Sequence, residues 1–304
     1  MSRIARVAAQ AKVNLLLRVL AREEGGYHAI ETVFLRLSLA DRVLVRVGDD
    51  VRGRSLDITG DTLPEGGLGP TEKNLAYRAA CAYANATGWP STFAIELTKE
   101  IPAGAGLGGG SADGGAVLRA LDAMSPAPLG RRLAELAPSL GADVAFMTID
   151  SPMALAWGRG DRLLPLPVLA PRPIVLVMPG FAVSTKDAYA WLAHDRGTYE
   201  AQSSVLQPSE LDTWEGLGAV AANDFEPVVS RRHPEITAYL DALRGAGALP
   251  ALMSGSGSAV YGVFTEPERA VEGVMSAAQA CPEMGTRGVV VWTANRVERV
   301  ETES

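Results

Sequence analysis

The residues best suited to chemistry lie in "IPAGAGLGGGSADGGAVLRAL" (residues 101–121). Gly104, Gly106, Gly108, Gly109 and Gly110 precede Ser111, and Val117, Leu118 and Leu121 follow at helical spacing. Glycines let a backbone approach an anion closely, and the first amides of a helix have no partner within it. A glycine run that opens a helix is therefore suited to cradling phosphate without a lysine. The pattern GxxxxGK[ST] is absent, because Ser111 follows Gly110 directly. Gly104-x-Gly106-x-x-Gly109 satisfies GxGxxG, but it lies far into the chain rather than in a first βαβ unit. The acidic residue expected at the end of a second strand is here Asp122, within the helix. A plain strand-to-helix turn would leave most of the glycines without a use.

Other groups stand elsewhere in the chain. Asp143 follows Gly141 and precedes an apolar segment, which suits either a proton acceptor aimed into a cleft or a carboxylate capping a turn. Lys12 and Asn14 share one face of an alternating stretch, the ordinary reading being a solvated strand face. Tyr27 and His28 follow Gly25 and Gly26, which fits an exposed turn, or an aromatic surface beside a hydrogen-bonding imidazole. "SGSGSAVY" (254–261) reads as a hairpin turn or a second anion-binding loop, and "NDFE" (223–226) has no assignable role.

These residues need elements to hold them. "AKVNLLLRV" (11–19), "DRVLVRV" (41–47) and "STFAIELT" (91–98) alternate as strands, and helical patterns occupy 72–87, 110–124 and 129–140. Strands and helices mix without a βαβα rhythm, so the fold class is α+β. The Pro-rich stretch 158–173 reads as a domain connection. Beyond it the order is strand (174–179), helix (from 184), strand ("PALMSG"), strand (259–264), helix (266–280) and strand (288–294), which is the ferredoxin-like order. Material from 194 to 247, with a helix at 234–245, is inserted in it. The expected domains are 1–160 and 161–304.

The chain has 304 residues, 47% hydrophobic and 21% charged, which suits a globular protein with a substantial core. A net charge of −7 excludes a broad nucleic-acid or anionic-membrane surface and leaves room for a local anion site. Cys81 and Cys281 stand alone, without a CxxC or a His/Cys cluster, so neither a disulfide framework nor a metal centre is expected. Lys12, Asn14 and Arg18 interrupt the apolar N-terminal stretch, and Arg172 and prolines break the longest apolar run. The expectation is a cytoplasmic protein with a small-molecule substrate, with no nucleic-acid or membrane partner, as a monomer or homodimer.

"KEIPAGAGLGGGSADGGAVL" resembles the central motif of the GHMP kinases, the superfamily of galactokinase, homoserine kinase and mevalonate kinase. Its GLGGG form is most similar to the branch acting on a cytidine-diphosphate-linked methylerythritol. "AKVNLLLRVLAREEGGYHAIETVF", "LGADVAFM", "AWGRGDRLLPL" and "SGSGSAVYGVF" resemble further blocks of that branch, in its order. The resemblance implies a two-domain GHMP kinase fold. Its N-terminal domain would be mixed α+β and nucleotide-binding (ribosomal protein S5 domain 2-like), its C-terminal domain ferredoxin-like. It also implies ATP-dependent phosphorylation of the 2-hydroxyl of the methylerythritol unit, with Mg²⁺ carried by the nucleotide.

By motif position, Lys12 and Asp143 would be the catalytic pair, with Lys12 keeping the carboxylate ionised. The ATP-phosphate loop would be Pro102, Ala103, Gly104, Ala105, Gly106, Leu107, Gly108, Gly109, Gly110, Ser111 and Ala112. Asn14, Tyr27 and His28 would bind the substrate. The chain departs from the family pattern at Gly26, Ala112, Gly114-Gly115, Ala145 and Met147, where Asp, Ser, Ala-Ala, Pro and Phe are usual. The alternatives are a GHMP kinase for a different alcohol or phosphate, or a non-catalytic ligand sensor on the same fold.

Overall fold

A computed structural model describes residues 2–22, 28–195 and 206–303. Two long strands, β1 (Arg3–Arg22) and β2 (His28–Val47), form an antiparallel pair at the centre of the first sheet. β3 (Arg54–Thr59) and β4 (Phe93–Thr98) extend it beside one half of β2, and β5 (Met153–Gly158) pairs with the other half. α1 (Leu75–Thr87) and α2 (Gly109–Met124) cover one face, with α3 (Val144–Thr148) against α2.

One irregularity in β1 decides where the chemistry points. Its register with β2 runs unbroken from Arg3↔Val47 to Gln10↔Ala40, then shifts before Lys12↔Arg36. Ala5, Val7 and Ala9 join the core under the helices, whereas Ala11, Val13 and Leu15 join a core on the opposite face. Between these two pairs Leu37, Ser38 and Leu39 of β2 stand opposite the single Ala11, and at this irregularity the strand exchanges its two faces. Lys12 and Asn14 are thereby turned to the helix side of the sheet, while the amide of Lys12 donates to Leu107 O at 3.0 Å.

The second sheet contains β7 (Pro173–Met178), β9 (Ala251–Met253), β10 (Val260–Val263) and β11 (Arg287–Trp292) in the order β11-β7-β10-β9, with every neighbour antiparallel. With α8 (Pro267–Ala280) between β10 and β11, this is the ferredoxin-like arrangement expected from the sequence. Its inner face packs on β1 and β2. Its outer face packs on α8, on α4 (Thr185–Asp195), on α7 (Pro234–Gly245), and on α6 (Glu226–Ser230), which follows α5 (Trp214–Val220).

Several expectations change. The helical pattern at 129–140 is a tighter 3₁₀ run, Gly130–Ser139, because Pro138 cannot donate a helix bond and the Asp122 carboxylate takes the amides of Leu129 and Gly130. The Pro-rich 158–173 stretch contains β6 (Arg162–Pro165), which pairs with β5 and stays in the first sheet. β8 (Ala222–Asn223) joins β1 in parallel and β12 (Glu301–Glu303) joins it antiparallel, both on the edge that β2 leaves open and at opposite ends of it. Among the described residues no helix is long and apolar enough to cross a membrane.

Candidate active site

The register shift between β1 and β2 leaves Lys12 buried, with 4% side-chain exposure, rather than on a solvated face. Its Nζ donates to Asn14 Oδ1 at 2.7 Å and to Gly106 O at 3.1 Å, and lies 3.3 Å from Asp143 Oδ2. Asn14 in turn donates to Thr32 Oγ1 at 2.8 Å, which fixes its amide orientation. Asp143 stands just before α3 yet makes no capping bond. Its carboxylate is 27% exposed and faces Lys12 instead. Of the two readings of Asp143, the geometry matches the cleft-facing one.

The glycine stretch forms the floor beside this pair. Gly108 takes a left-handed conformation (φ 71°) as the cap of α2, which a side chain there would strain. A Cβ on Gly106 (φ 78°) would run into the carbonyl oxygen of Ser254. That oxygen belongs to the β9–β10 hairpin loop, whose Ser254 hydroxyl donates to Gly106 O at 2.9 Å. The "SGSGS" segment is thus a hairpin loop that braces the first glycine loop, and Gly255 and Ser256 also line the cavity between them. "NDFE" acquires a role here. The Asn223 amide donates to Met253 O and Gly255 O at 2.7 and 2.8 Å, and Glu226 accepts from the Met253 amide at 2.9 Å. Burial raises the Glu226 carboxyl above its ordinary range.

Gly114 and Gly115, which no anion-binding role explains, are packing devices. A Cβ on Gly115 would overlap Met147 Cβ and come within 2.9 Å of the Met147 carbonyl oxygen. On Gly114 it would press on the Leu75 carbonyl oxygen at 3.3 Å. Small residues let α2 lie close to both neighbours. Ala145 and Met147 are buried in that contact and do not face the cavity.

The cavity has a volume of about 700 Å³. Lys12, Asn14, His28, Gly104, Gly106, Gly108, Gly109, Gly110, Ser111 and Asp143 all reach it. Pro102, Ala103, Ala105 and Leu107 line a smaller space of about 250 Å³ beside the loop, together with Asn74, Lys99 and Asp113. Ala112 lines neither and is buried in the core. His28 opens β2 rather than sitting in a turn, and its ring stacks on Tyr189 of α4 at 4.7 Å. Tyr27 and Gly26 lie outside the described residues.

Sequence reasoning missed Arg159, Thr185, Lys186 and Tyr189, which also line the cavity. Thr185 Oγ1 lies 2.9 Å from Ser256 Oγ, joining α4 to the hairpin loop. An aromatic in a helix reads as core and a lysine in a first turn as surface, so neither carried a signal. Among the described residues the charged side chains lining the cavity are Lys12, Arg159, Lys186 and Asp143, three cations to one anion on a chain of net charge −7. Among the described residues no group of three or more His, Cys, Asp or Glu could hold a metal by itself.

The family model "GHMP kinases N terminal domain" matches residues 74–153, and "GHMP kinases C terminal" matches 209–281. A 4-diphosphocytidyl-2-C-methyl-D-erythritol kinase from Solibacter usitatus is 38% identical over 273 residues, 87% of this chain and 83% of that protein. One from Solidesulfovibrio magneticus is 40% identical over 271 residues, 85% of this chain and 88% of that protein. A solved structure of a 4-(cytidine 5'-diphospho)-2C-methyl-D-erythritol kinase superposes with a TM-score of 0.70 at 35% identity, covering 95% of this chain and 99% of that one. Homoserine kinase from Cytophaga hutchinsonii has a TM-score of 0.71 at 21% identity over 99% and 97% of the two chains, which shows the shared fold. By sequence over most of its length and by its two-domain architecture, the chain belongs to the 4-diphosphocytidyl-2-C-methyl-D-erythritol kinases of the GHMP family.

Proposed function

We propose that this kinase transfers the γ-phosphoryl group of ATP to the 2-hydroxyl of 4-(cytidine 5'-diphospho)-2-C-methyl-D-erythritol. The observation that carries the reading is the Lys12–Asp143 pair, 3.3 Å apart, opening onto the cavity floored by the glycine loop. A polyphosphate fits this floor. α2 is 16 residues long, its first amides have no partner within the helix, and a Cβ on Gly110 would have ordinary contact distance, so the protein's own packing does not require glycine there. Lys186 and Arg159 add positive charge to the cavity wall.

In the transfer, the acceptor oxygen bonds to the γ-phosphorus, the bond from that phosphorus to the β-phosphate oxygen breaks, and ADP leaves. Phosphoryl transfer asks the protein mainly for positioning and charge neutralisation. Asp143 accepts the hydroxyl proton and orients the alcohol. Lys12 holds that carboxylate in place and offsets charge on the moving group. Asn14 fixes the Lys12 ammonium, and Gly106 O accepts from the same nitrogen, so the cation is aimed before substrate arrives. Ser111 and Asp143, among the side-chain oxygens that line the cavity, would hold a Mg²⁺ brought in on the nucleotide, which would supply further neutralisation of phosphate charge. The stacked His28 and Tyr189 rings form the wall suited to the cytidine base.

The test is ADP release by the purified protein with ATP, Mg²⁺ and a panel of alcohols. Turnover of the cytidine-diphosphate substrate above all others is expected. Turnover of a different alcohol alone would sink the substrate assignment, and ligand binding without turnover would mark a sensor.

A further inference from the structure

Among the described residues Arg36 is the largest fully buried side chain, and no catalytic step uses it. It lies on β2 directly opposite Lys12 in register, on the same face of the sheet. Burial is the main influence on its guanidinium, with Arg119 adding to it, and pushes its pKa down to about 9, so it remains a cation at neutral pH. Burying such a charge is costly unless its donors are satisfied. Among the described residues, every acceptor of those donors lies in the segment that follows Asp143. Nη2 donates to Phe146 O at 2.8 Å and to Ile149 O at 3.3 Å, and Nε donates to Ser151 O at 3.3 Å. The Arg36 amide adds a bond to Pro152 O at 2.8 Å. The guanidinium also lies over the Phe146 ring at 4.8 Å. Phe146 stacks on Phe34 at 5.0 Å, and Phe34 lies 5.6 Å from Lys12 Nζ.

α3 has five residues, far fewer than the roughly 12–15 a helix needs to persist by itself. Its placement therefore comes from what grips it. Asp143 stands at its start, and Arg36 takes carbonyls within it and just past its end. We propose that Arg36 is a positioning residue for the proton acceptor, holding residues 143–152 so that the Asp143 carboxylate stays against Lys12. The proposal rests on the role given to Asp143 above. A rigid fork with several fixed acceptors suits this task better than a lysine, which offers a single nitrogen at the end of a flexible stem.

The experiment compares Arg36→Met and Arg36→Lys, alone and combined with Asp143→Asn, for folding, ATP affinity, KM and kcat. Displacing a reacting group by about 1 Å costs on the order of 10²-fold, so Arg36→Met should lower kcat by about thirtyfold. ATP affinity and acceptor KM should stay within about threefold of the wild type, and Arg36→Lys should recover part of the loss. In the Asp143→Asn background, Arg36→Met should add less than about threefold, because the group it positions is already gone. Unchanged kcat in the folded Arg36 variants overturns the proposal, as does an equal further loss in the Asp143→Asn background. Should Arg36→Met fail to fold, Arg36→Lys carries the test: about a fivefold lower kcat at unchanged ATP affinity supports the proposal, and wild-type kcat overturns it. Wild-type kcat in Asp143→Asn overturns the proton-acceptor reading and this proposal together, whereas the other failures leave that reading standing.

Discussion

Lys12 and Lys99 flank the same glycine loop, each with 4% of its side chain exposed and each paired with carboxylate. Consecutive glycines make room for them. A Cβ on Gly108 would lie 3.0 Å from Lys12 Cε, and one on Gly109 would lie 3.4 Å from Lys99 Nζ. Their partners differ. Lys99 sits between Asp41 and Asp113, exposed by 0% and 2%, with Asp113 Oδ2 at 2.6 Å. Asp41 also accepts from the amides of Glu100 and Ile101, so this cluster ties β2 and α2 to the segment entering the loop. Lys12 meets one carboxylate that remains partly exposed and two neutral oxygens. Equal burial of the same residue type thus serves two ends, because only one partner carboxylate keeps an oxygen toward the large cavity.

Mutations can break this contrast. The largest expected effect is that of Asp143→Asn, which should reduce kcat by about 10³-fold with ATP affinity and melting temperature little changed. Activity close to wild type in a steady-state assay would remove Asp143 from the mechanism. Lys99→Met should cost about 3 kcal/mol of stability by leaving the buried Asp41 carboxylate without its cation, visible as a lower urea midpoint, while the folded fraction keeps near-normal kcat. Lys12→Met should do the opposite, losing about 10²-fold in kcat with a smaller change in midpoint. Matching phenotypes for the two lysine variants would erase the distinction between them.

The smallest expected effect is a change of slope. Burial pushes the Asp113 carboxyl up to about 8 against the pull of Lys99, with Asp41 adding to the rise, and its Oδ1 has no hydrogen-bond partner. The folded state therefore holds this proton more tightly than the unfolded chain. Its contribution to stability is full below about pH 4 and is lost as pH rises through about 8. Asp113→Asn, which does not titrate, should flatten the fall in urea midpoint between pH 5 and pH 9. An unchanged slope would show that other groups set it.

Much of the architecture was legible in the sequence. Alternation marked the strands, the glycine run announced the start of α2, and the strand–helix order gave the ferredoxin-like domain. Lys12 and Asn14 were correctly read as sharing a face, since that follows from a period of two. Which face they occupy was not legible, because the irregularity at Ala11 reverses it without changing the local pattern. Tyr189, Thr185, Lys186 and Arg36 were also invisible. Their meaning comes from partners far away in the chain, such as His28 for Tyr189 and the carbonyls of 146–151 for Arg36. Gly114 and Gly115 carried a readable oddity, yet only the approach of Met147 and Leu75 explains it.

By itself the sequence determined the class of chemistry, because glycines before a helix and a family of spaced motifs are local features written in residue type. It also determined the element order, since periodicity is local too. The tertiary structure alone decided which of two buried lysines meets a carboxylate open to the cavity. Burial, pairing and the direction of a side chain are properties of what the folded chain brings together. A single irregularity between Gln10 and Lys12, compatible with the same sequence pattern, sets that outcome.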